Sequence, residues 1–109
     1  MRTLKFVVDG QLLTQAPECN FDGLVPGTEK YLNAEFSFSP DWNGRVKVVE
    51  FTSILGKEYA PQILRDGRTC LIPSEALRRR AFKVRVIGTK NGGKLQTNKV
   101  MVKQNGGKT

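Results

Sequence analysis

Between Tyr31 and Ser39 apolar and polar residues alternate without a break. Leu32, Ala34, Phe36 and Phe38 fall on one side; Asn33, Glu35, Ser37 and Ser39 fall on the other. A period of two sends successive side chains to opposite faces of a strand, one buried and one wet. Pro40 to Gly44 then reads as a turn, and the valine-rich run from Arg45 to Thr52 predicts a second strand. Its phase slips: Val46 and Val48 share one side, Val49 and Phe51 the other. A β-bulge near Val48 would reconcile the halves and leave Lys47 and Glu50 wet. The stretch from Tyr31 to Phe51 is the predicted centre of the fold.

The same pattern extends in both directions. Leu4–Val8 and Gln11–Thr14 flank Asp9-Gly10, the signal for a hairpin with a two-residue type I′ turn. Residues 15–30 hold Pro17, Gly23, Pro26 and Gly27 and read as loop, with a short extended piece at Cys19–Phe21. A turn at Ile54–Lys57 leads to a strand over Glu58–Leu64, with Tyr59 and Ile63 on one side and Pro61 marking a sheet edge. Asp66-Gly67 is a second Asp-Gly turn, followed by a short strand at Thr69–Ile72. Pro73–Leu77 predicts a helix entry of one or two turns, capped at Pro73 or Ser74. Along Ala81–Gly88, Phe82, Val84 and Val86 point inward and Lys83 and Arg85 outward. After Asn91-Gly92-Gly93, the last strand spans Lys94–Gln104, with Val100 and Val102 inward. Turn signals every ~8–12 residues predict an all-β fold: an antiparallel, immunoglobulin-like β-sandwich with one short helical turn near Ser74–Leu77. The expected organisation is one domain over 1–105 and a flexible tail over 106–109.

Composition narrows the chemistry. A chain of 109 residues suits one core. It has no histidine, which excludes His-based triads and His-ligated zinc. Cys19 and Cys70 are too few for a metal site, and with no export signal expected they default to free thiols. Asp41, Asp66 and Glu75 stand one per turn, so no catalytic carboxylate pair can be nominated. Gly88–Gly93 lacks the spacing of a phosphate loop and precedes a strand. No run approaches the ~18 apolar residues of a membrane span. The expectation is a protein without catalytic residues, cofactor, metal or membrane segment.

Charge adds a candidate surface. The net charge is +8, unevenly placed. Residues 1–55 carry five Lys/Arg against seven Asp/Glu, net −2; residues 56–109 carry thirteen against three, net +10. Such asymmetry points to an anionic partner, or else to a basic surface that keeps the chain soluble. Arg78, Arg79 and Arg80, with Lys83 and Arg85 on the following strand, are the candidate contacts. Nucleic acid is the less favoured partner, because Phe82 faces away from Lys83 and Arg85 and leaves no aromatic beside the basic positions. Trp42, the one tryptophan, is either a stacking platform for a sugar or a plug that closes the end of the sandwich; aromatic burial favours the plug.

Four segments carry a family resemblance: the opening LKFVVDGQLL; YLNAEFSFSPDWNGRVKVVEF, an aromatic strand, an acidic-Trp-x-Gly turn and a strand ending in Phe; CLIPSEAL; and FKVRVIGTKNGGKLQTNKVMVK, with Thr-Asn before the last strand. In this order they resemble a small β-sandwich domain of tail-fibre, baseplate and head-fibre virion proteins of phages infecting Gram-positive bacteria, notably Firmicutes. The resemblance implies a non-enzymatic structural role, packing on other capsid or tail proteins of the virion, with assembly in the host cytoplasm. Capsid decoration is one such role, and a homo-oligomer is compatible with it. The basic half would dock on an acidic shell surface or approach an anionic host-wall polymer. The alternatives are a carbohydrate-binding module for host attachment and, behind it, a basic nucleic-acid-binding domain.

Overall fold

The computed structural model describes residues 1–104; the tail expected at 106–109 lies outside the described residues. Nine strands form among them: β1 (Arg2–Asp9), β2 (Leu12–Gln15), β3 (Leu32–Phe38), β4 (Val46–Thr52), β5 (Gln62–Ile63), β6 (Thr69–Leu71), β7 (Ala81–Lys90), β8 (Gly93–Gln96) and β9 (Val100–Lys103). Two 3-10 turns, Pro40–Trp42 and Ala76–Arg78, complete the regular structure. No helix among the described residues is long and apolar enough to cross a membrane.

The strands make two sheets, β2-β1-β3-β6 and β5-β4-β7, with β8 and β9 both on the free side of β7. The chain changes sheet after β3, after β5 and after β6, the Greek-key layout of an immunoglobulin-like sandwich. One pairing departs from the antiparallel expectation. β1 and β3 run parallel, from Arg2 opposite Leu32 to Val8 opposite Phe38. A parallel pair needs a long return connection, and the Pro- and Gly-rich loop between β2 and β3 supplies it.

Alternation along β1, β3, β4 and β7 sends Leu4, Phe6, Val8, Ala34 and Phe36 of one sheet against Val49, Phe51, Phe82, Val84 and Val86 of the other, all buried. Phe6 and Phe36 stack at 5.0 Å, and Phe38 meets Trp42 at 5.2 Å. These aromatic contacts add to the burial that holds the sheets together.

Several local expectations need correction. The first hairpin forms, but Asp9 pairs with Leu12, so Gly10 and Gln11 are the central residues. Of the two, only Gly10 has positive φ, +61°, as in a II′ turn, not I′. The I′ pattern occurs instead at Asn91 (φ 51°) and Gly92 (φ 78°), between β7 and β8. No strand forms at Cys19–Phe21. β4 has no bulge: its pairing with β7 is continuous from Val46–Thr89 to Thr52–Lys83. Lys47 therefore shares the inner side with Val49 and Phe51. It is tolerated because its stem runs out at the sheet end, with Nζ 5.2 Å from the Phe38 ring centre.

The bulge lies in the last strand. Gln96 pairs with Ile87 and Val100 with Val84, so three residues, Thr97 to Lys99, face two. Glu58–Leu64 shrinks to the two residues of β5 plus a bridge from Thr52 to Glu58. Pro61 cannot donate to a ladder, and Tyr59 is buried while Ile63 is exposed, so they do not share a side. The helix entry is the 3-10 turn Ala76–Arg78, preceded by Glu75 in the cap position without a side-chain cap bond.

The two flanks of the sandwich differ. On one, the bulged Asn98 crosses to β2: its Oδ1 accepts from the Leu13 N–H at 2.7 Å and its Nδ2 donates to the Leu13 carbonyl at 3.1 Å. One side-chain amide thus stands in for a strand on the edge of β2. On the other flank, β5 and β6 leave a shallow groove of about 380 Å³ between them.

Candidate docking site

β4 ends where β7 begins, because the two are antiparallel and Thr52 pairs with Lys83. The segments beyond these ends form an open cleft of about 430 Å³. One wall is the turn after β4, with Ser53, Ile54, Leu55 and Lys57, together with Tyr59; the other is Glu75 and Arg78 to Ala81.

Both walls are braced through their backbones. Ser53 N–H donates to Lys57 O, Gly56 N–H to Ser53 O, and Lys57 N–H to Ser53 Oγ. This tight turn carries Ile54 half-exposed and Leu55 at its tip, 97% exposed. The opposite wall is held by buried Gln104, just past β9. Its Nε2 donates to the carbonyls of Leu77 and Arg79, and its N–H donates to Arg80 O. A fixed backbone leaves Arg78, Arg79 and Arg80 as three exposed side chains. None has a carboxylate at ion-pair distance among the described residues, whose ion pairs are Arg68–Glu35 and Arg85–Glu50.

The sequence-predicted contacts therefore separate into groups. Arg78, Arg79 and Arg80 line the cleft. Lys83 and Arg85 lie on the outer face of the second sheet, and Arg85 is not free. Its Nε and Nη2 donate to Glu50 Oε1 at 3.0 and 2.5 Å, within reach because Glu50 lies directly opposite it in the ladder. Trp42 sits at the other end of the sandwich, wholly buried, with Nε1 donating to Gly10 O at 2.8 Å. It offers no ring face to a sugar, so the ligand-platform expectation is withdrawn and Trp42 is a plug. Leu55, Ile54 and Lys57 were missed. Two consecutive aliphatics inside a glycine-closed turn break the rule that turns are polar, and that was the available signal.

The two displaced titrations lie away from the cleft. Asp66 closes the turn before β6. It accepts from the Thr69 hydroxyl and from the N–H groups of Thr69 and Arg68, and these bonds lower its carboxyl to about 2. Cys70 faces the core beside Ala34; desolvation first, and the Asp66 charge second, raise its thiol to about 12. Cys19 lies against Thr3 and Lys5 of β1, two strand spacings from β6 at ~10 Å, and both thiols are free. No three potential metal ligands converge among the described residues.

Chemically the cleft can offer an anion three guanidinium groups, with Glu75 as a carboxylate on the same wall. Guanidinium groups donate and do not accept, and they do not lose their proton near neutral pH. The aliphatic lip beside them favours a partner that also brings apolar surface. No family model, curated protein or solved structure matches the chain.

Proposed function

We propose that the protein is a non-enzymatic structural component of a phage particle that packs on a neighbouring virion protein through the arginine-lined cleft. One observation carries this: three arginines with no acidic partner among the described residues stand on a braced backbone across from Leu55, which is almost fully exposed at the tip of a braced turn. Two exposed aliphatics on a fixed turn, facing a wall of cations, fit an interface core with a charged rim. Fold alone does not assign a role; the motif resemblance supports the setting, a capsid or tail surface of a Gram-positive phage, and the cleft supports the contact. An anionic wall polymer or a nucleic acid would use the arginines and leave Leu55 without a purpose.

The test is occupancy on purified particles. Arg78→Glu, Arg79→Glu and Arg80→Glu combined should reduce the copies bound by about tenfold or more, as for loss of rim charge pairs. Leu55→Asp alone should reduce them too. Full occupancy of both variants would overturn the proposal. Loss with the arginine variant but not with Leu55→Asp, together with steeply salt-sensitive binding to a polyanion, would transfer the site to a polymer ligand.

A further inference from the structure

The outer face of the second sheet is unusual for a solvent-facing surface. An antiparallel sheet normally turns polar residues to water. Here Val48 lies between Ile63 of β5 and Ile87 of β7, in one cross-strand row, with Val46 adjoining. Ile63 and Val46 are half or more exposed. Next to this aliphatic row runs the Glu50–Arg85 ion pair.

We infer that this face binds a second copy of the chain, and that the two-fold axis runs parallel to the strands between β4 and β7. In a symmetric dimer residue i meets j and j meets i. That axis exchanges the positions of β4 and β7 while keeping the level along the strands. Because the pairs are in register, Val48 of one copy lands on Ile87 of the other, and Glu50 lands on Arg85. Each contact occurs twice, and each is compatible: aliphatic on aliphatic, carboxylate on guanidinium. The four charged groups close into an alternating ring in which every charge has opposite-sign neighbours, the condition under which a desolvated ion pair is tolerated. Turning the axis across the strands instead would set the Glu50–Arg85 row against the Val46–Thr89 row and bury charge against valine. Lys83, the next outer residue of β7, lands opposite Thr52 of the other copy at the end of β4; the Glu50–Arg85 row thus favours a second copy in this orientation. Aligned packing of two outer sheet faces is the ordinary geometry between sheets, ~10 Å apart.

An axis along the strands has a consequence that rests on the docking proposed above: both arginine clefts lie at the same end of the dimer. Such a pair engages one acidic surface bivalently.

Dimerisation is measured with the protein alone, so its outcome is separate from that of docking. Sedimentation equilibrium at about 100 µM should detect a dimer of this smaller interface class, in ~0.15 M salt, where screening limits repulsion between the two net-positive copies. Glu50→Arg and Arg85→Glu should each give monomers. Mixed in equal amounts they should form a one-to-one heterodimer, since each copy then supplies the charge the other lacks; pairing within a chain cannot produce this. Ile63→Glu, at a half-exposed position of the edge strand β5, should weaken the wild-type dimer by about tenfold or more while the variant stays folded by circular dichroism. A monomeric wild-type protein, or dimers unaffected by Ile63→Glu, would overturn the inference, as would a mixture that stays monomeric while both variants remain folded by circular dichroism.

Discussion

Gly88 and Trp42 show how one missing methyl group positions the largest side chain of the core. Gly88 falls in phase with Phe82, Val84 and Val86, on the inner side of β7, where a Cβ would lie 2.7 Å from Trp42 Cζ3 and 3.0 Å from Arg45 Cδ. The indole cannot retreat without stretching its bond to Gly10 O. Gly88→Ala should therefore destabilise by about 1–3 kcal/mol, the range for overpacking a filled site. The single tryptophan makes the check direct: urea unfolding followed by fluorescence should give a lower midpoint and an altered native emission. A midpoint and emission like wild type would mean that the indole shifts freely. Gly88 was legible in the sequence only as the end of a strand and the start of a glycine-rich turn. Its packing role depends on a residue 46 positions earlier, which no local pattern reports.

Among the elements, β2 and the last strand depend most on contacts that the hydrophobic pattern does not contain. β2 is four residues long and its outer edge would stand open. Asn98 closes it because the bulge after β8 lifts one residue out of the ladder and turns its amide toward Leu13. The pattern announced a phase slip but assigned it to β4, where valine faces water instead. Asn98→Ala should cost about 1–2 kcal/mol for two lost hydrogen bonds and should expose an edge that promotes association. Hydrogen exchange resolves the effect: the Leu13 amide should exchange faster, while the amides of β7 paired with β4 should lose protection only in proportion to global stability. Unchanged protection at Leu13 would leave Asn98 without the bracing role. By contrast β3, β7 and the turn at Asp66-Gly67 were legible, and the first hairpin was legible in place though not in turn type, because alternation and turn chemistry are properties of adjacent residues.

At the scale of the whole molecule, folding stability should respond at both ends of the pH range through Asp66 and Cys70. The Asp66 carboxyl is lowered from 3.8 to about 2 in the folded chain. The unfolded chain therefore takes up that proton first. The Asp66 contribution is complete above about pH 4 and is lost as pH falls from there through about 2. The Cys70 thiol is raised from 9.0 to about 12. Here the unfolded chain loses its proton first, so stability holds below pH 9 and declines as pH rises toward 12. Melting temperature against pH should show both limbs. Asp66→Asn should flatten part of the acid limb, and Cys70→Ala part of the alkaline one. Limbs unchanged in these variants would assign the pH response to other groups.

By itself the sequence determined the all-β class, the inner faces of β3 and β7, most turn sites and the clustering of cations in the second half. These follow from periods of two, from residues that tolerate positive φ and from simple counting. Tertiary structure decided the rest through contacts between distant residues. Glu50 neutralises Arg85 across 35 positions, Gly10 anchors Trp42 across 32, and Asn98 reaches Leu13 across 85. The same kind of closure left Arg78, Arg79 and Arg80 opposite Leu55 with no carboxylate at ion-pair distance among the described residues. A cation's availability depends on which carboxylate the fold brings beside it, and a tryptophan's on whether the facing strand leaves room, so charge and aromatic content named candidates that only packing could sort.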